Sequence, residues 1–231
     1  VSDEAVSVDG QKLGSPSEFS YQSADYVRVM EMLPAPGAVD VNAGSAIMVT
    51  FNQPMVENLA DGAAGSAAFT LEPAVTGRGE WVNPGAYIFY PSLTLAGSEQ
   101  YTVRLNPELT SLMGAALAPN FLAQDQSWQF LTAKPALISY EPIDEEALLV
   151  DSSISLHFNQ SMDTTSVEEN FSFLDTKGEA VSASFSWNED LTTLVFTPDE
   201  HLTRGTEYNL ILLGSASGVG GIPIDDNLTL Q

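Results

Sequence analysis

The pentapeptide Phe51-Asn52-Gln53-Pro54-Met55 returns as Phe158-Asn159-Gln160-Ser161-Met162, 107 positions later. The same offset links Phe89 with Phe196, Pro91 with Pro198, Leu95 with Leu202 and Tyr101 with Tyr208, while Trp81 and Trp187 stand 106 apart. Matches held in register over about fifty residues make the chain two copies of one unit, and a repeat of this kind sets the size of the folding unit before any other property is weighed. The copies occupy residues 27–133 and 135–231, after an extended leader or linker at 1–26.

The copies differ where loops belong. Met55 to Phe69 is 14 residues, against 9 from Met162 to Phe171, and the first copy carries the extra stretch Ala60–Ala68, rich in Gly and Ala. Near the end, Trp128 and Phe130 match Leu228 and Leu230 at an offset of 100, so the second copy lacks 7 residues before its last strand. A constant framework with variable connections is the mark of tandem homologous domains.

Within each copy the apolar residues alternate. Ile47, Val49 and Phe51 share one face of a segment, as do Ile154, Leu156 and Phe158, then Leu194 with Phe196, and Tyr208, Leu210 with Leu212. A period of two with β-branched and aromatic residues predicts half-buried strands. Turn residues recur about every ten positions, and seven short strands in about a hundred residues describe an antiparallel sandwich of immunoglobulin type. The fold class is therefore all-β, two tandem immunoglobulin-like antiparallel β-sandwiches. One helical turn is expected near residues 163–170, capped by Asp163 or Thr164.

The second copy, from Pro135-Ala136-Leu137 through Phe158-Asn159-Gln160-Ser161-Met162-Asp163, Asn170-Phe171 and Phe196-Thr197-Pro198 to Gly205-Thr206-Glu207-Tyr208, resembles the bacterial Ig-like domain of S-layer and other surface proteins. The first copy departs from that pattern where Val56 replaces the Asp after Met. The resemblance covers residues 27–231 and implies a structural or binding module rather than an enzyme. Similar modules frame bacterial α2-macroglobulin-like protease inhibitors, and others accompany secreted enzymes. The pentapeptide then closes the second strand of each sandwich, with Phe51 and Phe158 inside, Met55 and Met162 plugging the end, and Trp81 and Trp187 facing them in the core.

Charge narrows the partners. Seven Lys and Arg against 31 Asp and Glu give a net charge of −24, which repels nucleic-acid backbones and anionic membranes. No apolar run reaches the length of a membrane span, so no membrane insertion is expected. Cysteine is absent, which suits a bacterial or archaeal surface protein or a cytosolic one. The last residues, Asp225–Gln231, stop inside what reads as a strand and suggest part of a longer protein.

Chemistry is sparse. His157 alternates with core residues and points outward, and His201 sits in a turn, so neither belongs to a Ser–His–Asp or Cys–His site and no catalytic residue is assigned. The Gly214–Gly218 stretch has Ala at its centre and is no nucleophile elbow. Zinc lacks ligands. Calcium is the one cation to weigh, with Asp163, Glu168 and Glu169 as weak candidate ligands and Asp144–Glu146 and Asp225–Asp226 behind them. None has a recognised loop spacing, and a solvated acidic surface is the simpler reading, so no cofactor is required. Paired carboxylates of a glycosidase would need an aromatic cleft, whereas the three tryptophans read as core.

In the leader, Phe19 and Tyr21 alternate with polar residues; an exposed linker is favoured over an added edge strand. The segment 106–123 is apolar, with Leu109, Leu112, Met113, Leu117, Phe121 and Leu122; the second copy lacks its length. It is expected to fold over a sandwich end, with filling the junction between the domains or binding a partner as the alternatives. Only Ala133-Lys134-Pro135 joins the copies, about 10 Å at most, so a preferred relative orientation is expected. These features suit a non-catalytic spacer or binding region at the cell surface or outside the cell, with a protein or cell-wall carbohydrate as partner.

Overall fold

Alternating side chains become fourteen antiparallel strands in the computed structural model, which describes residues 5–12, 15, 18–20, 25–57, 66–119, 126–143 and 148–230. The first copy contributes β1 (Val29–Leu33), β2 (Ile47–Phe51), β3 (Phe69–Glu72), β4 (Gly77–Asn83), β5 (Ala86–Pro91), β6 (Gln100–Leu105) and β7 (Ser127–Leu131). The second contributes β8 (Leu137–Glu141), β9 (Ile154–Phe158), β10 (Phe171–Asp175), β11 (Ala183–Trp187), β12 (Thr193–Pro198), β13 (Tyr208–Leu212) and β14 (Leu228–Leu230). Each set folds into a four-stranded sheet, ordered β1-β2-β5-β4 or β8-β9-β12-β11, and a three-stranded sheet, β3-β6-β7 or β10-β13-β14. That strand distribution is the seven-stranded immunoglobulin arrangement of the constant type.

The sheets face one another across separate apolar cores. In the first domain Ile47, Val49 and Phe51 meet Phe69, Val103, Trp128 and Phe130. In the second, Ile154, Leu156 and Phe158 meet Phe171, Phe173, Leu210 and Leu212. Phe51 is 7% exposed and Phe158 3%, as the alternation predicts. Their rings lie 5.9 Å from Trp81 and 6.1 Å from Trp187, respectively. Burying each aromatic ring contributes about 1.5–3 kcal/mol. Met55 and Met162 are buried beneath the turns that follow.

The expected helical turn is α1 (Thr164–Glu169), and Asp163 caps it by accepting the Ser166 N–H. Residues 5–12 make a small turn with a bridge from Val6 to Lys12, and Phe19 is exposed outside any strand. Tyr21 lies outside the described residues.

Two expectations are corrected. Trp128 stands opposite Val103, but Val103's counterpart Leu210 faces Leu230. Leu230, not Leu228, therefore takes the place of Trp128, and the second copy is shorter there by five residues rather than seven. Both leucines point to the same side of β14, so alternation alone cannot tell them apart.

The second correction concerns where the extra length of the apolar segment lies; of its expected places, the segment takes a sandwich end. Residues 106–118 are present in both copies: a bridge from Thr110 to Ala116 matches one from Ser217 to Pro223. The extra length falls after residue 118, mostly outside the described residues. The 110–116 hairpin lies at the start of the first domain, where Leu112 N–H donates to the Pro54 carbonyl and Val27 N–H to that of Ala116. It is at the opposite end from the junction.

Candidate functional site

The repeated Asn and Gln reach backward along the chain. Asn52 Oδ1 accepts from Arg28 N–H at 2.7 Å and Asn159 Oδ1 from Ala136 N–H at 2.9 Å. The amide nitrogens donate to the Tyr26 and Lys134 carbonyls, respectively. In both copies this Asn fastens the residues that lead into the first strand to the end of the second. Gln53 extends the pattern by donating to the Asp25 carbonyl at 2.8 Å, and Gln160 by donating to the Ala133 carbonyl at 3.2 Å.

In the second domain the same motif also grips its neighbour. Gln160 accepts from Gly97 N–H at 3.2 Å. Ser161 N–H donates to Thr94 Oγ1 at 2.6 Å, and Thr94 N–H returns a bond to Ser161 Oγ at 3.3 Å. Ser161 Oγ donates onward to the Asp190 carbonyl. Gln160 and Ser161 are fully buried, a costly state for polar groups unless they are paired, and here they are paired across the junction. The 217–223 hairpin covers the side of this contact: Val219 N–H bonds the Ser161 carbonyl, and Gly220 lies against Ala96. An ion pair from Lys134 to Asp225 fastens the connecting peptide to the same loop. Thus the counterpart of the apolar hairpin, not the hairpin itself, fills the joint.

The facing loop of the first domain is held by Tyr101. Its hydroxyl accepts from Ala96 N–H at 3.0 Å, and Tyr208 repeats the bond to Thr203 N–H at 2.9 Å. A tyrosine near the start of this strand, bonded a few residues upstream, is the tyrosine corner of immunoglobulin folds. Sequence alignment of the copies pairs the two tyrosines but leaves their role unread. Thr132 Oγ1 ties the same loop down through the Ala96 carbonyl at 2.6 Å.

The candidate cation ligands are engaged separately. Asp163 caps α1, Glu168 Oε1 accepts from Trp187 Nε1 at 2.9 Å, and Glu169 is exposed. Asp225 pairs with Lys134, and Asp144–Glu146 lie outside the described residues. Among the described residues no group of three or more His, Cys, Asp or Glu side chains is placed to hold a metal. His157 faces outward beside Thr193 Oγ1, and His201 is exposed.

The bacterial Ig-like domain family matches the sequence twice, over residues 24–132 and 131–219. The chain belongs to the bacterial Ig-like domain family. Curated proteins yield no sequence match to this Ig-like pair. Among solved structures it is similar to an L,D-transpeptidase from Mycobacterium tuberculosis, at 18% identity and TM-score 0.34 over 69% of this chain and 66% of that one. It is also similar to the N-terminal part of the bacterial S-layer protein SbsC, at 16% identity and TM-score 0.32 over 89% of this chain and 43% of that one. The Ig-like pair spans just under two thirds of the transpeptidase's length. Likeness at this level carries no functional argument. Among the described residues no helix is long and apolar enough to cross a membrane.

Proposed function

We propose that the two Ig-like domains form a non-catalytic spacer within a larger bacterial cell-surface protein, setting the reach and angle between what they connect. The joint carries this reading. A flexible tether has no use for two fully buried polar side chains whose partners lie in the other domain, whereas a spacer of fixed geometry does. The three-residue connection and the Lys134–Asp225 pair work in the same direction. A surface with net charge −24 favours solubility and repels anionic polymers, as befits an exposed arm. Recognition of a protein or cell-wall carbohydrate would then fall to the surfaces that the arm positions.

Small-angle scattering of the intact chain tests the reading. A single elongated two-domain particle should fit the curve, with no gain from adding conformers. A curve that only a broad range of interdomain angles can fit would overturn it.

A further inference from the structure

The two copies provide an internal comparison at every joint position, and the comparison is lopsided. The first domain presents Thr94, Ala96 and Gly97 to the joint; the second domain carries His201, Thr203 and Arg204 at those places in its own free loop. The second domain presents Gln160, Ser161 and Gly220; the first carries Gln53, Pro54 and Met113. Leu95 and Leu202, which anchor these loops in the cores, are unchanged, as is the Gln.

Each replacement removes something the contact needs. A Cβ at Gly97 would collide with the Gln160 side-chain amide and sit 2.7 Å from Pro135 Cδ, closer than real side chains approach, so the Arg204 side chain has no room in such a joint. Proline has no N–H, so Pro54 cannot make the 2.6 Å bond that Ser161 gives to Thr94, nor has it a hydroxyl to receive the bond in return. A Cβ at Gly220 would meet the Ala96 Cβ at 2.8 Å, at a φ of 108° that favours glycine; Met113 stands at the same point of its hairpin, 80% exposed.

We propose that these residues are a docking code for Ig-like ends. The trailing end of the first domain accepts a leading end that bears Gln-Ser and a glycine-tipped hairpin, and it rejects the leading end of the first domain itself. The trailing end of the second domain, with Arg204, rejects both. The joint is therefore exclusive to this order of domains: two copies of the chain cannot add head to tail through it. This rests on the rigid-spacer reading and refines it by naming what specifies the fixed angle.

Residue exchange between the copies tests the code in the intact chain. Gly97→Arg and Ser161→Pro install residues that the sister loops already tolerate, so neither should unfold its domain. Met55 and Met162 are buried beneath these turns in both copies, and domain integrity can be followed by tryptophan fluorescence. Either exchange should broaden the scattering-derived interdomain distribution and raise cleavage of the connection between the domains by a broad-specificity protease several-fold, since the Lys134–Pro135 bond itself resists trypsin. The reciprocal changes, Arg204→Gly and Pro54→Ser, should leave both readouts unchanged. Rigid Gly97→Arg and Ser161→Pro proteins, with a rigid parent, would overturn the code while leaving the spacer reading intact. A parent that is already flexible would overturn the spacer reading first. Loss of tryptophan burial in an exchange variant is answered by Ala96→Thr, the residue that the sister loop carries at 203, which adds bulk facing Gly220 and should loosen the joint in the same way; if it does not, the code fails.

Discussion

Single residues hold this fold at two kinds of place. The core aromatics contribute by burial. Phe158→Ala and Phe51→Ala should each cost their own domain about 3–5 kcal/mol in denaturant melts, the usual range for removing a buried aromatic side chain; losses below about 1 kcal/mol would mean that the inward face is wrongly assigned. Tyr101 contributes instead by tying a loop. Burial raises its pKa above the ordinary 10.0, and the nearby Glu99 charge pushes the same way, while the Ala96 N–H bond opposes them. Burial also raises Tyr87. A raised value means that the folded state favours the neutral phenol. Its contribution is whole below pH 10 and is lost as pH rises through the folded value. Absorbance at tyrosinate wavelengths should show two phenols ionising late in the native protein and not in denaturant. Tyr101→Phe should remove one of them and cost about 0.5–1.5 kcal/mol for the lost bond.

At the scale of elements, α1 depends on its cap. Asp163→Ala should cost about 1 kcal/mol in the second domain, because the Ser166 N–H loses its acceptor. That role, with Glu168 bonded to Trp187, gives two of the three candidate ligands structural work of their own. Melting temperatures in chelator and in millimolar calcium should coincide at equal ionic strength, and a rise specific to calcium would send attention back to Asp163 and Glu168. The elements themselves were legible because alternation and turn residues are local signals, and the repeat doubled each of them. The last strand was not placed correctly, since a slip of two residues keeps every side chain on its face and only pairing with β13 reveals it. Which end the apolar hairpin takes was left open for a related reason: composition marks Leu112 and Met113 as able to pack, but the end of the sandwich that they occupy follows from long-range bonds that tie the hairpin to Pro54 and Val27.

Across the whole molecule, the repeat showed that there are two domains and said nothing of how they meet. The joint depends on where the copies differ, and differences at Ser161, Gly97 and Gly220 look like ordinary loop drift until the loops are brought together. Their placement also sets an order of events. Every group that the first domain offers to the joint lies between Thr94 and Pro135, and that domain's core is complete in sequence by Thr132. The covering hairpin of the second domain ends near Pro223. On a ribosome, where leading domains tend to fold first, the first sandwich can therefore finish while its docking loop still faces water, with Thr94 and Gly97 hydrated for as long as it takes to synthesise almost all of the second. Glycine and threonine are well suited to that wait, since neither exposes an apolar side chain that a nascent neighbour could seize.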